Sequence, residues 1–175
     1  DLPTIHPAAT LHGQFLQKYL IMHDLQKARE ESDFPEINLD KDRILLTPTE
    51  YDECLAWLLK IHEIKPRWIS VDIEVINYEV SCIGFGFDRG DHEGPIAVTI
   101  PFLRDIWTEE QELTLWQAVA SILEDPEIGK IFQNGIFDTQ FLLIRNKIFV
   151  KGPIFDTMVA HHIMYPDFKK SLEFI

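Results

Sequence analysis

Trp68-Ile-Ser-Val-Asp-Ile-Glu74 is rich in β-branched residues, which predicts a β-strand with side chains alternating between two faces. Asp72 and Glu74 are two positions apart, so this period places both carboxylates on one face, roughly 6–7 Å apart. Carboxylates that are buried and close together repel each other and lose hydration, which is costly without a cation. The pair is therefore a candidate functional site, and a solvated edge strand is the alternative explanation.

The flanking segments predict a layered α/β fold. A helix is predicted from Thr47-Pro-Thr-Glu50 to about Pro66 with Thr47 as its N-cap, and the strand that follows it leads into two more strands, 80–87 and 95–101. Residues 88–94 have the composition of a turn. A helix capped by Thr108, a strand over 128–132 and helices over 137–146 and 156–165 complete the pattern. An antiparallel meander followed by alternating helices and strands indicates a sheet with helices packed against it.

Composition limits the class of protein. The chain has 175 residues, a hydrophobic fraction of 46% and a net charge of −13, which predicts a folded domain rather than disorder. It has no apolar run long enough for a membrane span and no signal peptide, so a soluble intracellular protein is expected. Cys54 and Cys82 have no metal-ligand spacing and are predicted to be reduced core residues. The negative charge taken alone argues against nucleic acid.

A second polar insertion follows the predicted strand 128–132. Asn134 is a plausible N-cap for the next helix, and Asp138 lies four residues later among apolar neighbours. Asp138 is either a solvated helix residue or a third carboxylate that converges on Asp72 and Glu74. In the second case the cluster is a hard-oxygen environment of the kind that Mg²⁺ or Mn²⁺ prefers.

Several motifs taken together resemble the 3′–5′ proofreading exonuclease domain of family A DNA polymerases, in the DEDD nuclease superfamily. The resemblance runs from about residue 40 to the end, and it is carried by four segments: Val71-Asp-Ile-Glu74, Phe132-Gln-Asn-Gly-Ile-Phe-Asp-Thr-Gln-Phe-Leu142, Ile154-Phe-Asp-Thr-Met-Val-Ala-His-His-Ile-Met-Tyr-Pro166 and Lys170-Ser-Leu-Glu-Phe174. It implies an RNase H-like mixed sheet flanked by helices.

The resemblance also implies roles for individual residues. Asp72, Glu74 and Asp138 would be catalytic metal ligands, Asn134 would help to hold the strand end, and Asp156 would be structural. The implied reaction is two-metal hydrolysis, with Mg²⁺ or Mn²⁺, of the 3′-terminal phosphodiester of single-stranded DNA. The implied partner is a polymerase domain that follows in the parent chain.

Aromatic and basic side chains near these motifs are further candidates. Phe137, Phe141 and Tyr78 could stack terminal bases, although the helical spacing of Phe141 favours the core. Basic residues between 145 and 151 could meet phosphates, with a solvated helix end as the alternative.

Two departures from the family pattern reduce the expected activity. Val75 stands where the family commonly has Thr, and no tyrosine of the chain has an Asp four positions later, so the Tyr-x-x-x-Asp motif is absent. The family places that motif beyond Ser171-Leu-Glu-Phe174, so a C-terminal truncation with weak or no activity is expected. An inactive exonuclease-like scaffold or nucleic-acid-binding module is the alternative function. Dinucleotide binding near Gly84 and Gly86 is excluded, because the glycine spacing is wrong and no helix follows.

The N-terminal segment has a different character. Apolar residues recur at helical spacing from Thr10 to Glu31, which predicts one amphipathic helix. Residues 1–31 resemble the C-terminal end of the family-four uracil-DNA glycosylases, in which His6 would match the histidine at the glycosidic bond; a His-Pro loop without catalysis is the favoured interpretation. The predicted organisation is a helical segment at 1–31, a linker at 32–40 and the exonuclease-like domain at 41–175. The expected location is the cytoplasm of a bacterial or phage-infected cell, near the nucleoid.

Overall fold

A computed structural model of the chain describes residues 4–13, 15, 17–32, 43–88, 94–166 and 168–172. The chain divides into two compact units, residues 1–40 and 41–175. No helix in these described ranges is both long enough and apolar enough to cross a membrane. Ser32, the first residue of the predicted linker at 32–40, is helical, whereas residues 33–40 and most of the predicted turn at 88–94 lie outside the described residues.

The first unit contains two helices where one was predicted. Helix α1 spans Ala8–Leu11 and α2 spans Gln17–Ser32, so the prediction of one continuous helix from Thr10 to Glu31 is wrong at its start. Gly13 adopts a φ of +89°, a left-handed conformation that no helix residue can share and that glycine adopts without steric cost. The helical period continues in the sequence across this break, but the backbone does not follow it.

The second unit is built on a six-stranded mixed sheet. Its strands are β1 (Ile44–Leu46), β2 (Trp68–Ile76), β3 (Glu79–Asp88), β4 (Pro95–Pro101), β5 (Gly129–Phe132) and β6 (Ile154–Asp156), in the spatial order β1-β4-β3-β2-β5-β6. The central meander β2-β3-β4 is antiparallel, whereas β1, β5 and β6 pair in parallel with their neighbours. The predicted RNase H-like α/β fold is confirmed. The three-residue edge strands β1 and β6 were not predicted.

Four helices and one π-helical turn accompany the sheet. They are α3 (Tyr51–Ile64), α4 (Glu109–Leu123), α5 (Gly135–Phe141), the π-helix Leu142–Asn146 and α6 (Thr157–Met164). Thr108 forms the predicted cap of α4 as a full capping box with Gln111. The prediction of Thr47 as the cap of α3 is wrong, because the N-cap is Glu50 and no side chain caps this helix.

The core lies on one face of the sheet. Alternate residues of β2, β3 and β4 are buried there against α3 and α4; they are Ile69, Val71, Ile73, Ile83, Phe85, Phe87, Ile96, Val98 and Ile100. The cysteine prediction is confirmed for Cys54, which is free and buried, while Cys82 is free but half-buried and lies opposite Glu74.

A single lysine interrupts the apolar face. Lys130 on β5 is paired in register with Ile69 and is fully buried. Its Nζ donates to the carbonyls of Asp125 at 2.5 Å and Lys151 at 2.8 Å. Burial lowers the pKa of Lys130 to about 8, against a smaller opposing effect of the Asp125 charge.

Candidate active site

Asp72 and Glu74 lie together on the more exposed face of β2, which is called the open face below. Along β2 the residues alternate between buried and exposed, and both carboxylates are on the exposed side. Their partners on β3 are Gly84 and Cys82. The pKa of Asp72 is raised, first by partial burial and then by the charge of Glu74. The period-two prediction of a shared face is therefore confirmed.

A β-bulge sits opposite Glu74. The register between β2 and β3 shifts between Glu74 and Val75, which leaves Ser81 as the extra residue on β3. The Ser81 hydroxyl donates to the Glu74 carbonyl at 3.0 Å, and the Ser81 carbonyl accepts from the Phe102 amide at 2.7 Å. Bulges bend a strand and re-aim its side chains near active sites. The sequence carries no clear signal for this one.

Asp138 reaches β2 from the start of α5. The Ile73 amide, between Asp72 and Glu74, donates to Asp138 Oδ1 at 3.2 Å, and Asp138 is only 4% exposed. Strand β5 pairs only with Trp68–Ser70. The Ile73 amide lies beyond this pairing, so the Asp138 carboxylate can accept its hydrogen bond there. The alternative of a solvated helix residue is wrong.

The electrostatics of Asp138 reflect its crowded setting. Burial raises its pKa, hydrogen bonds from the Ile73 amide and its own amide oppose that rise, and the charges of Asp72 and Asp156 add to it. Coupled carboxylates with raised pKa values are a recurrent property of functional sites. The charge of Glu74 thus acts on Asp72, and the charge of Asp72 acts on Asp138.

The donor chemistry fits a hard divalent cation, since all three candidate ligands are carboxylates. As the side chains stand, no three His, Cys, Asp or Glu residues of the described part of the chain form a group that could hold a metal ion. One oxygen of Asp138 is engaged by the Ile73 amide. The structure thus brings the predicted ligands to one short stretch of β2 without a complete ligand set, and their ligand role stays a prediction.

Asn134 does not act as the predicted side-chain cap. It occupies the N-cap position of α5 with a left-handed φ of 60°, but its side chain makes no capping hydrogen bond. Asp156 takes over this function from β6: it accepts from the Asn134 amide at 3.3 Å and the Gly135 amide at 2.8 Å. Asp156 also caps its own helix α6 through the Val159 amide at 3.1 Å.

Two aromatic rings that are close to the carboxylates along the chain are accessible. Phe137, the residue before Asp138, is 49% exposed, and Tyr78 in the turn after β2 is 77% exposed. Phe141 lies 5.9 Å from Phe137 between ring centroids and packs on the core, as its spacing favoured. Phe137 and Tyr78 therefore remain available as surfaces for stacking.

A hydrogen bond joins the π-helix to the turn after β2, and the sequence did not predict it. Arg145, in the π-helix after α5, donates from Nε to the Tyr78 carbonyl at 3.1 Å. The nearby lysines are occupied locally: Lys147 bonds the Ile144 carbonyl at 2.8 Å, and Lys151 forms an ion pair with Glu124 at 3.2 Å. These contacts favour the solvated helix end over a dedicated phosphate site.

His6 lies in the first unit as an exposed residue. Its Nδ1 accepts from the Ala8 amide at 3.2 Å, a local bond that shapes the entry to α1. The geometry has the form of a His-Pro turn, and the glycosylase resemblance stays a prediction.

Three features together indicate the class of protein. The sheet is mixed and RNase H-like, β2 carries an acidic pair, and the helix after β5 carries a third carboxylate. The chain belongs to the 3′–5′ exonuclease family, whose profile matches residues 46–175. This match confirms the prediction of a 3′–5′ exonuclease domain. No curated protein sequence matches the chain significantly.

Two solved structures of one enzyme support the assignment of the fold. RNase D from Trypanosoma brucei shares 18% identity over 66% of this chain and 38% of its own, with a TM-score of 0.52. The same enzyme in a complex with RNA U12 shares 16% identity over 68% of this chain and 39% of its own, with a TM-score of 0.50. The EXD2 exonuclease domain shares 18% identity over 69% of this chain and 58% of its own, with a TM-score of 0.48. The match covers less than two thirds of each of these structures.

Proposed function

We propose that residues 41–175 form a metal-dependent exonuclease domain that removes nucleotides from the 3′ end of single-stranded DNA. The observation that carries this proposal is the hydrogen bond from the Ile73 amide to Asp138 Oδ1. It ties the carboxylate of the second family motif to the strand that carries Asp72 and Glu74. Family membership supplies the reaction class, and DNA as substrate rests on the resemblance to polymerase proofreading domains.

In this proposal Asp72, Glu74 and Asp138 hold Mg²⁺ or Mn²⁺. Bound divalent cations supply an activated water at neutral pH and stabilisation of the leaving 3′ oxygen. The chain itself supplies the negative field that attracts the cations, since repulsion between Asp72 and Glu74 has no protein cation to relieve it among their described contacts. The net charge of −13 is then compatible with a nucleic-acid substrate, because cations carried by these acids would neutralise the phosphate.

The substrate end would lie beside the exposed rings. Phe137 is adjacent in sequence to Asp138, and Tyr78 follows Glu74 by four residues, so both lie close along the chain to the proposed ligands. Base–aromatic stacking contributes roughly 1–3 kcal/mol per base and does not depend on base identity. Asn134 would support the same end of the site. The proposed partner is a C-terminal polymerase domain, in the cytoplasm of a bacterial or phage-infected cell.

The test is degradation of a 5′-labelled single-stranded DNA in Mn²⁺ by the wild-type chain, Asp72→Ala and the control Asp52→Asn. Asp52 is an exposed acid of α3, far along the chain from the candidate ligands. A ladder of products shortened from the 3′ end is expected for the wild type and the control, and none for Asp72→Ala. Equal degradation by all three proteins contradicts the assignment. An RNA of matched sequence, run in parallel, decides the sugar preference.

A second function, an inactive nucleic-acid-binding module, is favoured by a specific observation. The acids of the described part of the chain do not form a complete metal site. Fluorescence anisotropy with the same labelled DNA separates the two: binding that survives Asp72→Ala, without degradation by any variant, supports the module. Exposed Phe137 is then the residue to test, since Phe137→Ala should weaken binding on either proposal.

A further inference from the structure

The junction between β5 and α5, which delivers Asp138, is held by a residue from a different strand. Asn134 adopts a left-handed conformation there and leaves the first amides of α5 without a cap from its own side chain. The Asp156 carboxylate accepts from the Asn134 amide through Oδ1 and from the Gly135 amide through Oδ2, at 3.3 and 2.8 Å. Both oxygens thus accept hydrogen bonds at the start of the helix that carries Asp138, and Oδ1 also accepts from the Val159 amide of α6 at 3.1 Å.

Neighbouring contacts make this junction specific. Thr157, the next residue after Asp156, donates its hydroxyl to the Phe132 carbonyl at 3.2 Å and to the Gln133 side chain. Gly135 is buried, and a Cβ there would lie 2.5 Å from the Phe132 Cβ. Residues at the junction of β6 and α6 therefore hydrogen-bond both the end of β5 and the start of α5, and they restrict the position of this junction.

From this geometry we propose that Asp156 is a positioning residue: by capping α5 across the sheet, it sets the place of Asp138 beside Ile73, and through it the affinity of the acidic cluster for a divalent cation. The proposal rests on the proposed function for the identity of the cation site. Asp156 itself contacts no proposed ligand atom in this role. It acts one helical turn away, since Gly135 and Asp138 are three residues apart on α5.

A charged cap suits this task better than a neutral one. A carboxylate that accepts backbone amides at a helix start forms charge-assisted hydrogen bonds and complements the helix dipole. Asparagine is nearly isosteric but has a single acceptor oxygen, so Asp156→Asn would lose either the bond from Gly135 or the two bonds from Asn134 and Val159. Residues that orient metal ligands typically change metal affinity by about 10–100-fold when they are replaced.

The first readout requires neither metal nor activity. Amide NMR of the whole chain would follow the Ile73 resonance, whose hydrogen bond to Asp138 reports the position of that carboxylate. In Asp156→Asn we expect Ile73 exchange to become about tenfold faster, as for the loss of one hydrogen bond. Asp138→Asn should shift the same resonance. The control Asp125→Asn, which alters an acidic turn cap bonded to the Glu127 amide, should leave Ile73 unchanged.

The second readout is titration with Mn²⁺ followed by calorimetry. Asp156→Asn should weaken binding about tenfold, while Asp125→Asn should match the wild type even where thermal unfolding shows an equal loss of stability. If Asp156→Asn changes the exchange rate of the Val159 amide but not that of the Ile73 amide, the proposal is overturned, because Asp156 would then cap α6 alone. If the wild type binds no Mn²⁺, the proposed function fails, yet the Ile73 exchange rate still decides the positioning role. If Asp156→Asn does not fold, Asp156→Ser, which retains one acceptor, takes its place in both measurements.

Discussion

The two faces of strand β2 have opposite characters although their residues alternate along one chain. On the covered face Ile69, Val71 and Ile73 are at most 5% exposed and pack with the core. On the open face Ser70, Asp72 and Glu74 are exposed, and the last two repel each other. The strand therefore gains its stability on one side and carries its chemistry on the other.

This difference shows why the acidic pair can be tolerated. Burial of a large aliphatic side chain contributes roughly 1.5–3 kcal/mol, and β2 buries three such residues on the covered face. Partial exposure keeps the cost of two like charges small on the open face. Substitutions on the covered face should therefore change mainly stability, and substitutions on the open face should change mainly activity.

The largest effect is expected for the removal of an open-face charge. Asp72→Asn should reduce exonuclease activity by on the order of 100-fold or more, because a direct ligand should matter at least as much as a residue that orients one. Its free energy of unfolding should not fall, since the substitution removes repulsion with Glu74. Initial rates on labelled DNA and urea unfolding measure the two quantities. A parallel loss of activity and of unfolding free energy would contradict the assignment of stability and chemistry to different faces.

The next effect belongs to the covered face. Ile69→Ala should lower the free energy of unfolding by about 2–5 kcal/mol, because the side chain is fully buried and leaves a cavity. The adjacent control Ser70→Ala removes an exposed hydroxyl that donates to the Gly86 carbonyl at 3.1 Å, and should change stability by less than about 1.5 kcal/mol. Similar losses in the two variants by denaturant unfolding would contradict the assignment of the faces.

Lys130 provides a pH test of the covered face. Burial lowers its pKa from 10.5 to about 8, so the unfolded chain binds more protons between these values and stability should rise with pH across that interval. Relative to Lys130→Met, the wild type should gain roughly 3 kcal/mol from pH 8 to 10.5. Unfolding of both proteins at several pH values gives the slope.

The smallest effect is the opposite pH dependence on the open face. The raised pKa of Asp72 means that the folded state holds its proton above the ordinary value of 3.8, so stability should fall as the pH rises from 3.8 through the raised pKa. Asp72→Asn should lack this contribution, and its stability advantage over the metal-free wild type should grow across that interval. Thermal unfolding in a chelator measures the difference. An advantage that shrinks with rising pH would contradict the raised pKa of Asp72, which is due first to burial and then to the charge of Glu74.

The sequence pattern predicted the structure correctly where the type and spacing of neighbouring residues decide it. The period-two alternation of β2 predicted the shared face of Asp72 and Glu74, and Thr108 predicted the start of α4. Pattern failed where distant groups decide the outcome. Strands β1 and β6 have only three residues and exist through pairing with β4 and β5, so local propensity could not reveal them.

The caps show the same limit. Asn134 and Thr47 have the residue types of N-caps, yet neither side chain caps a helix. At Asn134 the acceptor comes from Asp156, which is 22 residues away in sequence. Short-range rules assume that a helix end is satisfied by its own neighbours, and a packed sheet can offer a better-placed carboxylate instead.

The family could be predicted from the sequence alone, because its motifs are contiguous in the chain. The meander and the separation of β2 into an apolar and an acidic side could also be predicted, because they follow from side-chain periodicity. Only the tertiary structure decided that Asp138 is buried against the Ile73 amide, that Ser81 forms a bulge opposite Glu74 and that Asp156 caps α5. Each of these is a hydrogen bond or a register between segments distant in sequence, and its geometry exists only after the sheet has assembled.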